Sequence, residues 1–306
     1  MLPDVQPISR LIVGIDLDDE GAMTAGARSA LDQAIWLARQ TGASVTALHA
    51  TRPDERWLAA EQTYETTRPS EGAATDALER VRGELEEQGL DANVEVTKQR
   101  PGLALCRAGL RTGADFVVVG TRSEAEADGD GRPLGSVALT LLRKFPTSTW
   151  VVRPHAPVPA QRLVAATDLS SVGDDATRLA ASLATAAGAA LTIVHALQLP
   201  LAVQLAHDQA AYLEKARARA ITHIRQALGE TAGVEPRLDV GLTSPTRAIL
   251  EEVAQREPDL VVMGSVSRGG IPGLLMGNTA ERLLGRLSCS VVCVKPADFA
   301  CPVTLD

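Results

Sequence analysis

The sequence predicts an α/β chain built from two copies of one unit, each a parallel sheet covered by helices. Three observations carry this. Short Val-rich runs bounded by Gly and Pro, such as Leu260 to Met263 and Ser290 to Val294, suit strands buried on both faces. These runs alternate with helix-period segments, which implies βαβ units and a parallel sheet. The pattern then occurs twice. DFVVVG (115–120) matches DLVVMG (259–264), LIVGIDL (11–17) matches LVAATDL (163–169), and LLRKFPTSTWVVRP (141–154) matches LLGRLSCSVVCVKP (283–296).

In the first copy, residues 1–10 are a polar lead-in and Leu11 to Ile15 is the first strand. Residues 26–41 place Ala27, Ala30, Leu31, Ala34, Ile35 and Ala38 at helical spacing, and Gly42 stops them. Strands follow at Ser44 to His49, Asn93 to Thr97, Phe116 to Val119 and Thr149 to Val152, with helices over 72–88 and Leu103 to Leu110. The second copy repeats the plan. Its strands are Leu163 to Thr167, Ala190 to His195, Pro236 to Val240, Leu260 to Met263 and Ser290 to Val294. Its helices are 174–187, 205–228, Thr246 to Gln255 and a segment with Ala280, Leu283, Leu284 and Leu287 on one side. PHAPVPA (154–160), with three prolines, reads as a stiff boundary. The expected division is therefore 1–154, a linker at 155–160, and 161–306.

Composition narrows function. A chain of 306 residues suits two domains of about 150 residues. A net charge of −8 and an aromatic content of 3% argue against direct nucleic-acid binding, which needs basic surface and stacking platforms. No apolar run approaches the roughly 18 residues that span a membrane. MLPDVQPISR lacks the pattern of a signal peptide. The four cysteines form no CxxC pair, so a reduced, cytoplasmic setting is expected. There is no GxSxG, HExxH or GxxxxGK[ST], so no catalytic group and no P-loop hydrolysis is expected.

In an open sheet of order 3-2-1-4-5, ligands bind beyond the C-terminal ends of strands one and four, where the strand order reverses. That placement brings Asp16 toward Gly120 in the first copy and Asp168 toward Gly264 in the second. A Gly-rich loop feeding a helix follows strand four in both, an arrangement that can receive an anion.

These residues resemble the universal stress protein family, whose fold is a Rossmann-like, adenine nucleotide α-hydrolase-like unit. The tandem arrangement is most similar to the family's two-domain E-type members. The resemblance implies a Gly-x2-Gly-x9-Gly-Ser/Thr phosphate loop and an Asp after strand one that meets adenine. In the second copy the match is Gly264-x2-Ser267-x9-Gly277-Asn278, with Thr279 next and Arg268 within the loop. In the first it is Gly120-x2-Ser123-x11-Gly135-Ser136, a loop two residues longer that carries the acidic run SEAEADGDG. Those acids would repel a triphosphate, and a bound divalent metal would reverse the effect, although no metal-ligand set is visible in either copy. The implied ligand is ATP or another adenine nucleotide, held chiefly in the second copy by Asp168, Gly264, Ser267, Arg268, Gly277, Asn278 and Thr279. Asp16, Gly120, Ser123, Gly135 and Ser136 form the more divergent first site.

The residues also support plainer roles. An Asp after a strand is often a turn or capping residue, the glycines serve as turn punctuation, and His49 and His195 suit packing at strand ends. Two functions therefore stand open ahead of a third, a weak ATP hydrolase, for which no base or metal site is visible. One is a regulatory cytoplasmic stress protein that binds nucleotide without efficient turnover. The other is a tandem scaffold with degenerate pockets. The resemblance further implies an intrachain pseudo-dimer through the fifth strands, and allows a homodimer of the whole chain, with no membrane partner.

Overall fold

The computed structural model describes residues 8–51, 69–121, 134–197, 203, 209–229, 236–265 and 277–305. They form two compact units, Pro7–Pro159 together with Ala297–Asp306, and Ala160–Pro296.

The first unit runs β1 (Arg10–Gly14), α1 (Ala25–Thr41), β2 (Ser44–Ala50), α2 (Glu71–Glu87), β3 (Ala92–Thr97), α3 (Pro101–Thr112), β4 (Phe116–Gly120), α4 (Ser136–Lys144) and β5 (Ser148–Val152). Its strand order is β3-β2-β1-β4-β5, all parallel. The second unit runs β6 (Arg162–Ala166), α5 (Ser171–Ala187), β7 (Ala190–Leu197), α6 (Gln209–Leu228), β8 (Arg237–Leu242), α7 (Pro245–Arg256), β9 (Leu260–Gly264), α8 (Asn278–Leu284) and β10 (Ser290–Val294). Its order is β8-β7-β6-β9-β10, again parallel. Each unit thus has the expected 3-2-1-4-5 sheet.

The local chemistry explains these elements. Thr24 caps α1 by accepting from Ala27 N, Ser170 caps α5 by accepting from Gly173 N, and Ser244 caps α7 by accepting from Arg247 N. Gly42 and Gly188 close α1 and α5 in the left-handed region, at φ 74° and 62°, where only glycine is unstrained. In β4, β9 and β10 successive side chains are buried from Phe116 to Val119, Leu260 to Met263 and Ser290 to Val294. Neighbouring side chains on a strand point to opposite faces, so unbroken burial means that both faces are covered. The α8 helix ends at Gly285, so Leu287 is buried beyond the helix rather than on it.

The aspartate that opens DFVVVG and DLVVMG has a structural task in both units. Asp115 Oδ2 accepts from Ser9 N (2.8 Å) and Arg10 N (3.0 Å). Asp259 Oδ2 accepts from Gln161 N (2.8 Å) and Arg162 N (2.9 Å). Each carboxylate thereby ties the start of the unit's fourth strand to the start of its first.

The Pro-rich boundary is anchored rather than loose. Ser29 Oγ on α1 accepts from His155 N (2.9 Å), and Gln33 Nε2 donates to Pro157 O (2.7 Å). Both side chains are buried polar groups on an otherwise apolar face. The last residues also return to the first unit: Arg107 Nε on α3 donates to Thr304 O (3.0 Å), and Cys301 Sγ meets the Lys144 carbonyl (3.0 Å). On the outside of α1, Arg28 bonds both Asp32 and Glu84. Burial works against its charge, but those bonds outweigh it and raise the guanidinium pKa above its ordinary value.

Candidate functional site

In the first unit the sheet's last paired residues at its centre are Gly14 and Val119. Asp16 and Thr121 stand two positions beyond them on either side. In the second unit the corresponding pair is Ala166 and Met263, with Asp168 and Ser265 two positions beyond. The fourth strands continue one residue further through Thr121 N to Val152 O (2.9 Å) and Ser265 N to Val294 O (2.8 Å). Each unit therefore presents an aspartate and a β-hydroxyl residue at the end of the sheet where the strand order reverses.

The two aspartates sit in different turns. Asp16 is exposed, and its carbonyl accepts from Thr24 N (3.0 Å). The loop to α1 folds on itself through a Leu17–Met23 bridge, and Asp18 Oδ1 takes the amides of Glu20 (3.0 Å) and Ala22 (2.8 Å). Asp168 is half-buried in a tight turn. Its Oδ1 accepts from Ser170 N (3.0 Å) and from the Ser170 hydroxyl, and Leu169 holds a φ of 60°. A side chain on Gly173 would lie 2.8 Å from that Oδ1, so the glycine lets α5 begin directly against the aspartate. Oδ1 of Asp168 thus serves the turn.

Gly120 lies against α1. A Cβ on it would fall 2.1 Å from the Gly26 carbonyl carbon, and one on Gly26 would fall 2.0 Å from Thr121 O. The two glycines form a backbone-to-backbone contact between helix and strand. Gly135 and Gly277 are N-caps of α4 and α8 at ordinary φ of −64° and −74°. The motif glycines at these two caps are therefore not required for positive φ. A Cβ on Gly135 would meet nothing within 4 Å, and Ser136 beside it is exposed. Gly277 N donates to Ser265 O (2.8 Å), which closes the neck of the loop between them. Gly264 ends β9. Asn278 and Thr279 begin α8. Ser123, Ser267, Arg268 and the run SEAEADGDG lie outside the described residues.

One feature escaped the sequence reading. Thr121 and Ser265 are buried, 4% and 0% exposed, and their hydroxyls have no partner among the described residues. A buried hydroxyl left so costs about 1–3 kcal/mol. The signal was a Thr or Ser directly after each strand-four glycine. The histidines, expected to pack at strand ends, make specific bonds there. His49 Nδ1 lies 2.8 Å from Ile15 O, and His195 Nδ1 lies 2.8 Å from Thr167 O. Both rings thus bond the residue just before the aspartate.

Among the described residues no three His, Cys, Asp or Glu side chains are grouped to hold a metal ion. Burial pushes the Cys293 thiol up to about 12, against a smaller opposing effect of Lys295, which removes it as a nucleophile or metal ligand at neutral pH. Among the described residues no helix is long and apolar enough to cross a membrane.

A model of the universal stress protein family matches residues 8–153 and again 159–295. A stretch of 53 residues is 40% identical to a universal stress protein E homolog of Haemophilus influenzae, covering 17% of each chain. Over 62 residues the chain is 36% identical to universal stress protein E of Escherichia coli, covering 20% of each. The matched stretches thus span a fifth or less of these relatives' length. Among solved structures, a functionally unknown protein from Pseudomonas aeruginosa superposes with a TM-score of 0.68 at 20% identity, over 95% of this chain and 94% of that one. A universal stress protein from Archaeoglobus fulgidus gives 0.64 at 17% identity, over 95% and 99%. At such identities the likeness shows a shared fold.

Proposed function

The chain belongs to the universal stress protein family, and from that premise we propose that it is a regulatory stress-response protein that binds an adenine nucleotide, such as ATP, in the crevice of its second unit without efficient turnover. The observation that carries this reading is that Asp168 and the closed neck Ser265–Gly277 follow the ends of two adjacent strands at the reversal point of one sheet. In this arrangement the Asp168 carboxylate accepts from the adenine amino group, and the phosphates run toward the loop that leaves Ser265 and returns at Gly277. The four cysteines, none of them in a disulfide, suit a reducing, cytoplasmic setting.

A second reading, a tandem scaffold with crevices that hold no nucleotide, finds its support in the first unit. There Gly120 is accounted for by its packing on Gly26, without any phosphate.

Calorimetric titration with ATP separates the two. Binding is expected, with Asp168→Ala weakening it about tenfold or more, the value of one hydrogen bond to a charged group. Phosphate release should stay at background. Protein that purifies free of nucleotide and gives no heat with ATP would overturn the proposal.

A further inference from the structure

We infer that His195, and His49 in the first unit, are positioning residues that set the direction in which the aspartate after strand one leaves the sheet. The inference rests on the nucleotide-binding reading for its functional consequence, but its geometric core does not.

In a parallel ladder a residue donates its N–H to one neighbour on the adjacent strand and accepts at its C=O from the residue two further along. Ile15 N donates to Leu48 O (2.9 Å), so Ala50 N is the backbone donor in line for Ile15 O. That carbonyl instead meets His49 Nδ1 at 2.8 Å. The second unit does the same. Thr167 N donates to Val194 O (3.0 Å), and Thr167 O meets His195 Nδ1 at 2.8 Å. A carbonyl only accepts, so Nδ1 carries the hydrogen in both rings. Each second strand thus grips one residue of the first strand twice, once by a backbone carbonyl and once by a ring.

The gripped residue immediately precedes the aspartate. A peptide is planar, so fixing the Thr167 carbonyl also fixes the Asp168 N–H and Cα, and likewise for Ile15 and Asp16. The chain that follows differs between the units. The first has a loop closed by the Leu17–Met23 bridge, and the second a tight turn through Leu169. The two exit loops follow different paths, yet the clasp recurs at the same distance. It therefore serves what the loops have in common, the aspartate itself.

The test pairs His195→Ala with His195→Asn, whose side-chain amide nitrogen stands near the place of Nδ1. AMP and inosine monophosphate are the probes, because inosine lacks the amino group that Asp168 would accept. His195→Ala should lose about tenfold in AMP affinity while its inosine monophosphate affinity changes little, so base discrimination collapses. His195→Asn should restore it. Equal losses for both nucleotides, or no rescue by Asn, would mean that the ring only fastens the strand end, and would overturn the inference. Hydrogen exchange of the 167–169 segment in the nucleotide-free protein is the independent arm. Faster exchange in His195→Ala than in wild type or His195→Asn is expected. If the wild type binds neither nucleotide, the function proposed above fails, and this arm still decides the clasp, since unchanged exchange would refute it.

Discussion

Gly120→Ala should destabilise the first unit, and its magnitude follows from the contact it would break. The new Cβ would sit 2.1 Å from Gly26 C, 2.2 Å from Gly26 O and 2.7 Å from Ala27 N. Carbon atoms in contact rest about 3.5 Å or more apart, so the start of α1 would have to move by roughly 1.4 Å. All three obstacles are backbone, and no rotamer change relieves them. Overpacking a core typically costs about 1–3 kcal/mol, and a clash with backbone alone belongs at the upper end. For a unit of this size about 3 kcal/mol lowers the unfolding midpoint by roughly 6–12 °C. Differential scanning calorimetry reads this directly, with Gly135→Ala as the control. A Cβ there meets nothing within 4 Å, so only the poorer N-cap, about 1 kcal/mol or less, is lost. A Gly120→Ala protein as stable as Gly135→Ala would refute the packing argument. Were Gly120 present only to let a phosphate approach, the substitution would abolish ligand binding and leave the unfolding midpoint where it was.

Two further outcomes are expected. The Cys293 thiol is raised from 9.0 to about 12 by burial, so the native state keeps a proton that the unfolded state releases as pH rises through 9. Its contribution is intact below pH 9 and falls at about 1.4 kcal/mol per pH unit up to about pH 12. The difference in stability between wild type and Cys293→Ala should therefore narrow across that range, and a constant difference in urea titrations at pH 8 and pH 10.5 would contradict it. Removing residues 297–306 deletes the bonds of Thr304 to Arg107 and of Cys301 to Lys144. It should cost the first unit about 1–2 kcal/mol, seen as faster hydrogen exchange in α3 and α4, with exchange unchanged if the tail contributes nothing.

Much of the fold was legible because its signals are local. The β10 strand was bounded to the residue at Ser290 and Val294, since Val-rich runs and the punctuation around them lie within a few residues. Gly42 and Gly188 announced the ends of α1 and α5 by the same logic. The candidate site was legible only in outline. The loop spacing pointed to one end of each sheet, but the roles of the residues there depend on partners remote in sequence. Gly120 read as a phosphate-loop glycine, and its packing against Gly26 was not legible in the loop spacing. Asp168 read as a base-recognising carboxylate, and one of its oxygens proved to hold the Ser170 turn. Ser29 and Gln33 interrupt an apolar helix face, and the groups that account for them, at His155 and Pro157, lie far away along the chain.

By itself the sequence determined the duplication, the order of strands and helices, and the end of each sheet at which an aspartate faces a glycine turn. Those properties follow from hydrophobic periodicity and chain-breaking residues, which act over one or two turns of backbone. Only the tertiary structure decided which glycine is demanded by packing, which carbonyl each histidine holds, and that the chain's last residues return to the first unit. Such contacts join segments far apart along the chain, and their energy depends on distances of a few ångströms that no local pattern encodes.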